Sequence, residues 1–133
     1  MRILIADDHD LLGETLSMFL ASEGSIDTAL ASTLDDALDL IQSEEKFDLI
    51  MLDYNMPGMA GLNGLKRARE ASGGSPVALM SGIASRSVAE EALAFGAAGF
   101  VPKTLAAKTL VNAVRFMAMG EKYAPIDFMT TDD

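Results

Sequence analysis

The sequence predicts an open α/β fold: a parallel sheet of five strands covered by helices on both faces. Two observations carry that prediction. Short apolar runs alternate with stretches whose apolar residues recur at helical spacing, the mark of repeated βαβ units. Four of the runs also end in polar residues of complementary chemistry: 2–6 opens into Asp7-Asp8, 48–52 into Asp53, 76–80 into Ser81 and 98–102 into Lys103. Parallel strands place their carboxyl ends along one edge of a sheet, where open α/β folds bind ligands. All five groups are therefore expected at one pocket.

The elements follow in order. Strand 1 is read at 2–6, and helix 1 at 10–23, with Leu12, Leu16, Phe19 and Leu20 at helical spacing and Gly24 as its stop. Strand 2, at 26–31, is interrupted by Asp27 and Thr28. Thr33 with Asp36 three residues later opens helix 2 as a capping box. That helix runs to Glu45 and buries Leu34, Ala37, Leu38 and Ile41. Strand 3 is read at 48–52 and helix 3 at 62–72, closed by Gly73-Gly74, with Met56-Pro57-Gly58 making an extended loop between them. Strand 4 is read at 76–80, helix 4 at 86–96 and strand 5 at 98–102. Helix 5, at 105–119, puts Leu110, Val114 and Met117 on one face and closes at Gly120. Five strands and five helices in this alternation imply the flavodoxin-like, doubly wound arrangement with strand order 2-1-3-4-5. Residues 1–120 form one domain in this reading, and 121–133 a linker or C-terminal tail.

Composition narrows the function. At 133 residues the chain suits one compact domain. Ten basic residues against 20 acidic ones leave a formal charge of -10, which disfavours direct binding to nucleic acid or anionic membranes. No run reaches the roughly 20 apolar residues of a membrane span. The chain has no cysteine, which excludes disulfides and thiolate metal sites. With no secretory signal in the opening residues, a cytoplasmic protein is expected.

The polar cluster has its own chemistry. Three close carboxylates repel one another unless a hard cation sits among them, and Mg²⁺ takes oxygen ligands in that way. A lysine and a hydroxyl facing the same point suit the negative oxygens of a phosphoryl group. The set reads as a Mg²⁺-assisted phosphoryl site centred on Asp53.

DDHD at 7–10, LDYNMPGMAG at 52–61, SG at 81–82 and GFVPK at 99–103 together resemble the receiver domain of two-component response regulators, over Met1 to about Gly120. DDHD followed by Leu-Leu, and GAAGFVPKT at 96–104, are most similar to the NarL/FixJ (LuxR-type) subfamily, whose full-length members carry a C-terminal helix-turn-helix. The resemblance implies a CheY-like fold and a phosphoacceptor switch rather than an enzyme, with at most slow autodephosphorylation. By position, Asp53 accepts a phosphoryl group from a sensor histidine kinase or phosphotransfer protein. Asp8 ligates Mg²⁺ directly, Asp7 largely through water, and the backbone carbonyl of Asn55 completes the metal site. Ser81 and Lys103 contact the phosphoryl oxygens. Ser81 and Phe100 form the switch pair, remodelling the helix 4–strand 5–helix 5 face, which makes a homodimer through that face conceivable. Asn55 and Ile83, at the pocket mouth, govern water access. The segment then reads as the N-terminal part of a transcriptional regulator.

Other readings are weaker. His9, the only histidine, has no partners at metal or triad spacing and reads as loop surface. Most of the nine methionines fall in predicted strands and helices and read as core, with Met117 and Met119 as candidates for a flexible binding face. An aspartate-nucleophile phosphohydrolase also wants Mg²⁺ and a lysine, but needs a general acid two residues after the nucleophile, where Asn55 has no carboxyl proton to give. A degenerate receiver acting only as an interaction module would not need the intact site. Receivers often have proline after the lysine; here Pro102 precedes Lys103 and Thr104 follows it, which leaves the isomer of the Lys103–Thr104 peptide open.

Overall fold

A computed structural model describes residues 1–8, 10–22, 26–43, 46–82, 86–103 and 106–123, with the backbone alone for 10–15 and 107. His9, Ile83, the Lys103–Thr104 peptide and the tail from 124 onward lie outside the described residues. The elements run β1 Arg2–Ala6, α1 Asp10–Ala21, β2 Asp27–Ala31, α2 Leu34–Ser43, β3 Leu49–Asp53, α3 Asn63–Ser72, β4 Val77–Ser81, α4 Arg86–Ala94, β5 Gly99–Pro102 and α5 Ala107–Ala118. Every strand and helix read from the sequence is present. All strand pairs are parallel, in the order β2-β1-β3-β4-β5.

Burial follows position in the sheet. Every residue of the central strands β3 and β4 is buried, whereas the edge strand β2 exposes Asp27 and Leu30. Alternate strand residues face opposite sides, and this divides the core in two. Leu4, Ile50, Leu52, Leu79 and Phe100 pack against α2, α3 and α4 through Leu34, Leu38, Leu65, Ala68 and Ala92. Ile3, Ile5, Met51, Met80 and Val101 pack on the other side against Leu20 of α1 and Leu110, Val114 and Met117 of α5. At roughly 25 cal/mol per Å² of apolar surface removed from water, these two layers are the main favourable term in folding.

Local signals act as expected at several joints. Thr33 Oγ1 accepts the Asp36 N–H at 3.1 Å, closing the front of α2. The β3–α3 loop is anchored by Met56 and Met59, both buried, while the Leu34 N–H donates to the Pro57 carbonyl at 3.0 Å. Ala60 in that loop takes φ 48°, a left-handed conformation held by a non-glycine residue. The methionine reading divides: Met117 is fully buried, whereas Met119 is 73% exposed. No helix among the described residues is long and apolar enough to cross a membrane.

Two strands, β3 and β4, keep the length read for them but sit one residue later. Asp53 and Ser81 are the last residues of β3 and β4 rather than the first after them, because Asp53 still pairs with Met80 and Ser81 with Pro102. Tyr123, read as linker, forms a parallel bridge with Gly99.

Candidate functional site

The register that orders the sheet also assembles the site. Ala6 pairs with Leu52, so Asp7 and Asp53 leave neighbouring strands at the same level. The Asp7 N–H donates to the Ala31 carbonyl at 2.9 Å, and the Tyr54 N–H to the Met80 carbonyl at 2.8 Å. The Lys103 N–H donates to the Ser81 carbonyl at 2.8 Å. Each chain segment is thus pinned to its neighbour at the residue that carries, or directly follows, the functional side chain.

At this edge the Lys103 ammonium lies 2.9 Å from Asp7 Oδ2 and 3.0 Å from Asp53 Oδ2. The other Asp53 oxygen, Oδ1, accepts the Asn55 N–H at 3.2 Å. Asp7, Asp53 and Ser81 are buried, whereas Asp8 is exposed. Asp7, Asp8 and Asp53 each bring a carboxylate oxygen within 4.8 Å of the others. Among the described residues one ammonium stands against these three carboxylates, an excess of negative charge when all three are ionised. That oxygen set and residual charge fit a hard divalent cation.

The electrostatics carry the strain of this crowding. Burial pushes the Asp53 carboxyl above its ordinary value, only partly opposed by the Asn55 N–H and Lys103, and the Asp7 charge adds to the rise. Burial alone would lower the Lys103 ammonium, but its contacts with Asp7 and Asp53 outweigh this and hold it above the ordinary lysine value. An ammonium so held stays charged across the physiological range.

Ser81 and Phe100 share the α2–α4 face of the sheet. Leu79 pairs with Phe100, and Ser81 lies two residues beyond Leu79 on the same side. The Phe100 ring is fully buried, the position expected for an aromatic with no hydroxyl to keep in water. Of the residues read at the site, Asp7, Asp8, Asp53 and Lys103 are brought together, with Ser81 at the adjoining strand end. Asn55 contributes its backbone N–H, and its side chain is exposed. Ile83 lies outside the described residues. The sequence reading missed Tyr123, whose only signals were a helix-stopping Gly120 and one aromatic soon after it.

Comparisons with known proteins agree with this fold. The family described as "Response regulator receiver domain" matches residues 3–115. The chain is 36% identical over 132 residues to the glycerol metabolism activator of Pseudomonas putida, covering 98% of this chain but 59% of that protein. It therefore spans about three-fifths of that relative's length. A LuxR family DNA-binding response regulator from Silicibacter pomeroyi superposes with a TM-score of 0.83 at 31% identity, over 94% of this chain and 97% of that one. The signal receiver domain of NarL from Mycobacterium tuberculosis superposes with a TM-score of 0.79 at 33% identity, over 90% of this chain and 97% of that one. With the family matched over most of its length, a five-stranded sheet in the order 2-1-3-4-5 and an acidic pocket closed by a lysine, this chain belongs to the response regulator receiver domain family.

Proposed function

We propose that this chain is a phosphorylation-activated switch in which Asp53 accepts a phosphoryl group from a histidine kinase or phosphotransfer protein. The observation that carries the reading is the Lys103 ammonium, 3.0 Å from Asp53 Oδ2 in a pocket that gathers two further carboxylates. An Asp53 oxygen attacks phosphorus, and the bond from phosphorus to the donor nitrogen breaks as the donor leaves. In this reading Lys103 and the Ser81 hydroxyl meet the charge on the transferred oxygens, the principal task in phosphoryl transfer. The Asn55 N–H holds Oδ1 and so orients the carboxylate for attack. Asp7, Asp8, Asp53 and the Asn55 carbonyl would hold Mg²⁺, which supplies charge neutralisation between the carboxylates and the incoming phosphoryl group.

In this reading the protein is cytoplasmic and is the N-terminal part of a transcriptional regulator. The 59% coverage of the Pseudomonas putida activator and the likeness to a DNA-binding response regulator support that placement. Ser81 and Phe100 transmit the phosphorylated state to the α4–β5–α5 face. On that face Arg86 pairs with Glu90 at 2.8 Å within α4, so a homodimer built there would have to exchange this local pair for contacts across a two-fold axis. Asn55 and Ile83 set water access and hence the lifetime of the acyl phosphate.

Mass spectrometry after incubation with acetyl phosphate and Mg²⁺ tests the assignment. A gain of one phosphoryl group, lost in Asp53→Asn, supports the switch. Rapid phosphate release from small esters would point to a phosphohydrolase, and no change to a receiver that only binds partners.

A further inference from the structure

Gly120 takes φ 94° and turns the chain after α5, and Tyr123 then lies parallel to Gly99 on the outer edge of β5. The Tyr123 N–H donates to the Ala98 carbonyl at 2.9 Å, and the Tyr123 carbonyl accepts the Phe100 N–H at 3.1 Å. The half-buried Tyr123 packs against the core cluster that holds Val101 and Met117. Gly99 makes the approach possible. A Cβ at that position would stand 2.7 Å from the Tyr123 carbonyl oxygen and 2.5 Å from Met117 Sδ.

Among the described residues the contact is made by Tyr123 alone, and the chemistry on either side opposes its extension. In the same parallel register the next two bonds would need an N–H at residue 125 and another at residue 102. Both are proline and have none. In the other direction the Ala98 N–H is spent on the Val77 carbonyl and the Glu121 N–H on that of Phe116. A full sixth strand would close the edge of the sheet permanently. A single residue with two backbone bonds can come and go.

We propose that the β5 edge is a docking surface for this chain's own post-α5 segment, and that Tyr123 is a releasable strap coupled to the phosphoryl site through Phe100. The inference rests on the reading of Asp53 as phosphoacceptor. One residue carries both ends of the coupling: the Phe100 ring lies on the sheet face shared with Ser81, and its N–H is held by Tyr123. Fixing that N–H keeps the β5 backbone where the ring is buried, so a phosphoryl group that draws Ser81 inward and a docked strap favour the same arrangement. Such coupling is reciprocal. Tyr123 therefore senses the site through Phe100.

The test is amide hydrogen exchange by NMR, with and without beryllofluoride and Mg²⁺, on the full chain and on Tyr123→Pro and Gly99→Ala. Tyr123→Pro deletes the donor to Ala98, and Gly99→Ala pushes the strap away sterically. Beryllofluoride is expected to slow exchange at Phe100 and Tyr123 by about fivefold or more, and both variants to bind it more weakly by a similar factor. If beryllofluoride shifts the Asp53 signals but leaves Phe100 and Tyr123 exchange unchanged, and the variants bind it as tightly, the strap is overturned while the phosphoacceptor reading stands. If it leaves the Asp53 signals unmoved, the phosphoacceptor reading fails and the coupling with it.

Discussion

Lys103 and Asp53 are 50 positions apart in the chain, yet the ammonium of one lies 3.0 Å from the carboxylate of the other. Parallel register alone closes that gap, since Asp53 ends β3 and Lys103 follows β5, with β4 between them. The same ammonium touches Asp7. It therefore neutralises part of a site that would otherwise hold three unbalanced acids.

Removing that cation should be costly. Lys103→Met keeps the apolar stem and removes the ammonium that both buried carboxylates, Asp7 and Asp53, contact. Deleting one partner of a buried pair costs about 3–5 kcal/mol. With the Lys103 side chain 14% exposed, the lower end is expected, read by urea unfolding near neutral pH without metal. Without the ammonium the Asp53 carboxyl binds a proton more readily when folded, so the deficit should shrink as pH falls toward the ordinary aspartate value of 3.8. A deficit that ignores pH would rule out charge as its cause.

Asp53 and Asp8 should separate when neutralised. The folded pKa of Asp53 is raised above 3.8, so the folded state binds the extra proton and stability falls as pH rises through that interval. The full penalty is present above the raised value and absent below 3.8. Asp53→Asn should then raise the metal-free Tm near neutral pH, by roughly 3 °C per kcal/mol recovered, and the gain should vanish in acid. Asp8 is exposed, so Asp8→Asn should move Tm little. It should weaken Mg²⁺ binding by at least about tenfold, a loss that even outer partners of metal ligands can produce. Fluorescence of Tyr54, next to Asp53, follows the titration; unchanged affinity would remove Asp8 from the metal site.

Ala60 offers a stability gain away from the chemistry. Its φ of 48° suits glycine or asparagine better than alanine. Ala60→Asn should stabilise the domain by about 0.5–1 kcal/mol. Thermal melts of the two proteins decide, and an unchanged or lower Tm would mean that the loop relaxes at no cost.

The lifetime of the phosphorylated state should depend on Ile83. Hydrolysis of an acyl phosphate needs a water in line with the bond to phosphorus. Asn55 is polar and able to orient that water, whereas Ile83 is branched, apolar and offers no hydrogen bond. Ile83→Glu and Ile83→Ala should both speed loss of phosphate from Asp53, followed by mass spectrometry. Equal rates in all three proteins would show that residue 83 is not the gate.

Most of the architecture was legible in the sequence, because alternating periods and strand-end chemistry are local. Apolar runs of strand length marked β1, β3, β4 and β5, and helical spacing marked the faces of α2 and α5. The capping box at Thr33 announced its helix. Gathering Asp7, Asp8, Asp53, Ser81 and Lys103 at one edge required only that the strands be parallel. Tertiary structure alone decided which of those acids the lysine pairs with, and that Asp7 is buried while Asp8 beside it is exposed. It also decided that Asp53 and Ser81 still belong to their strands, that Phe100 is fully enclosed, and that Tyr123 returns to the edge of β5. Each of these depends on register and desolvation, set by neighbours tens of residues away, and a periodicity read along a single segment holds no record of them.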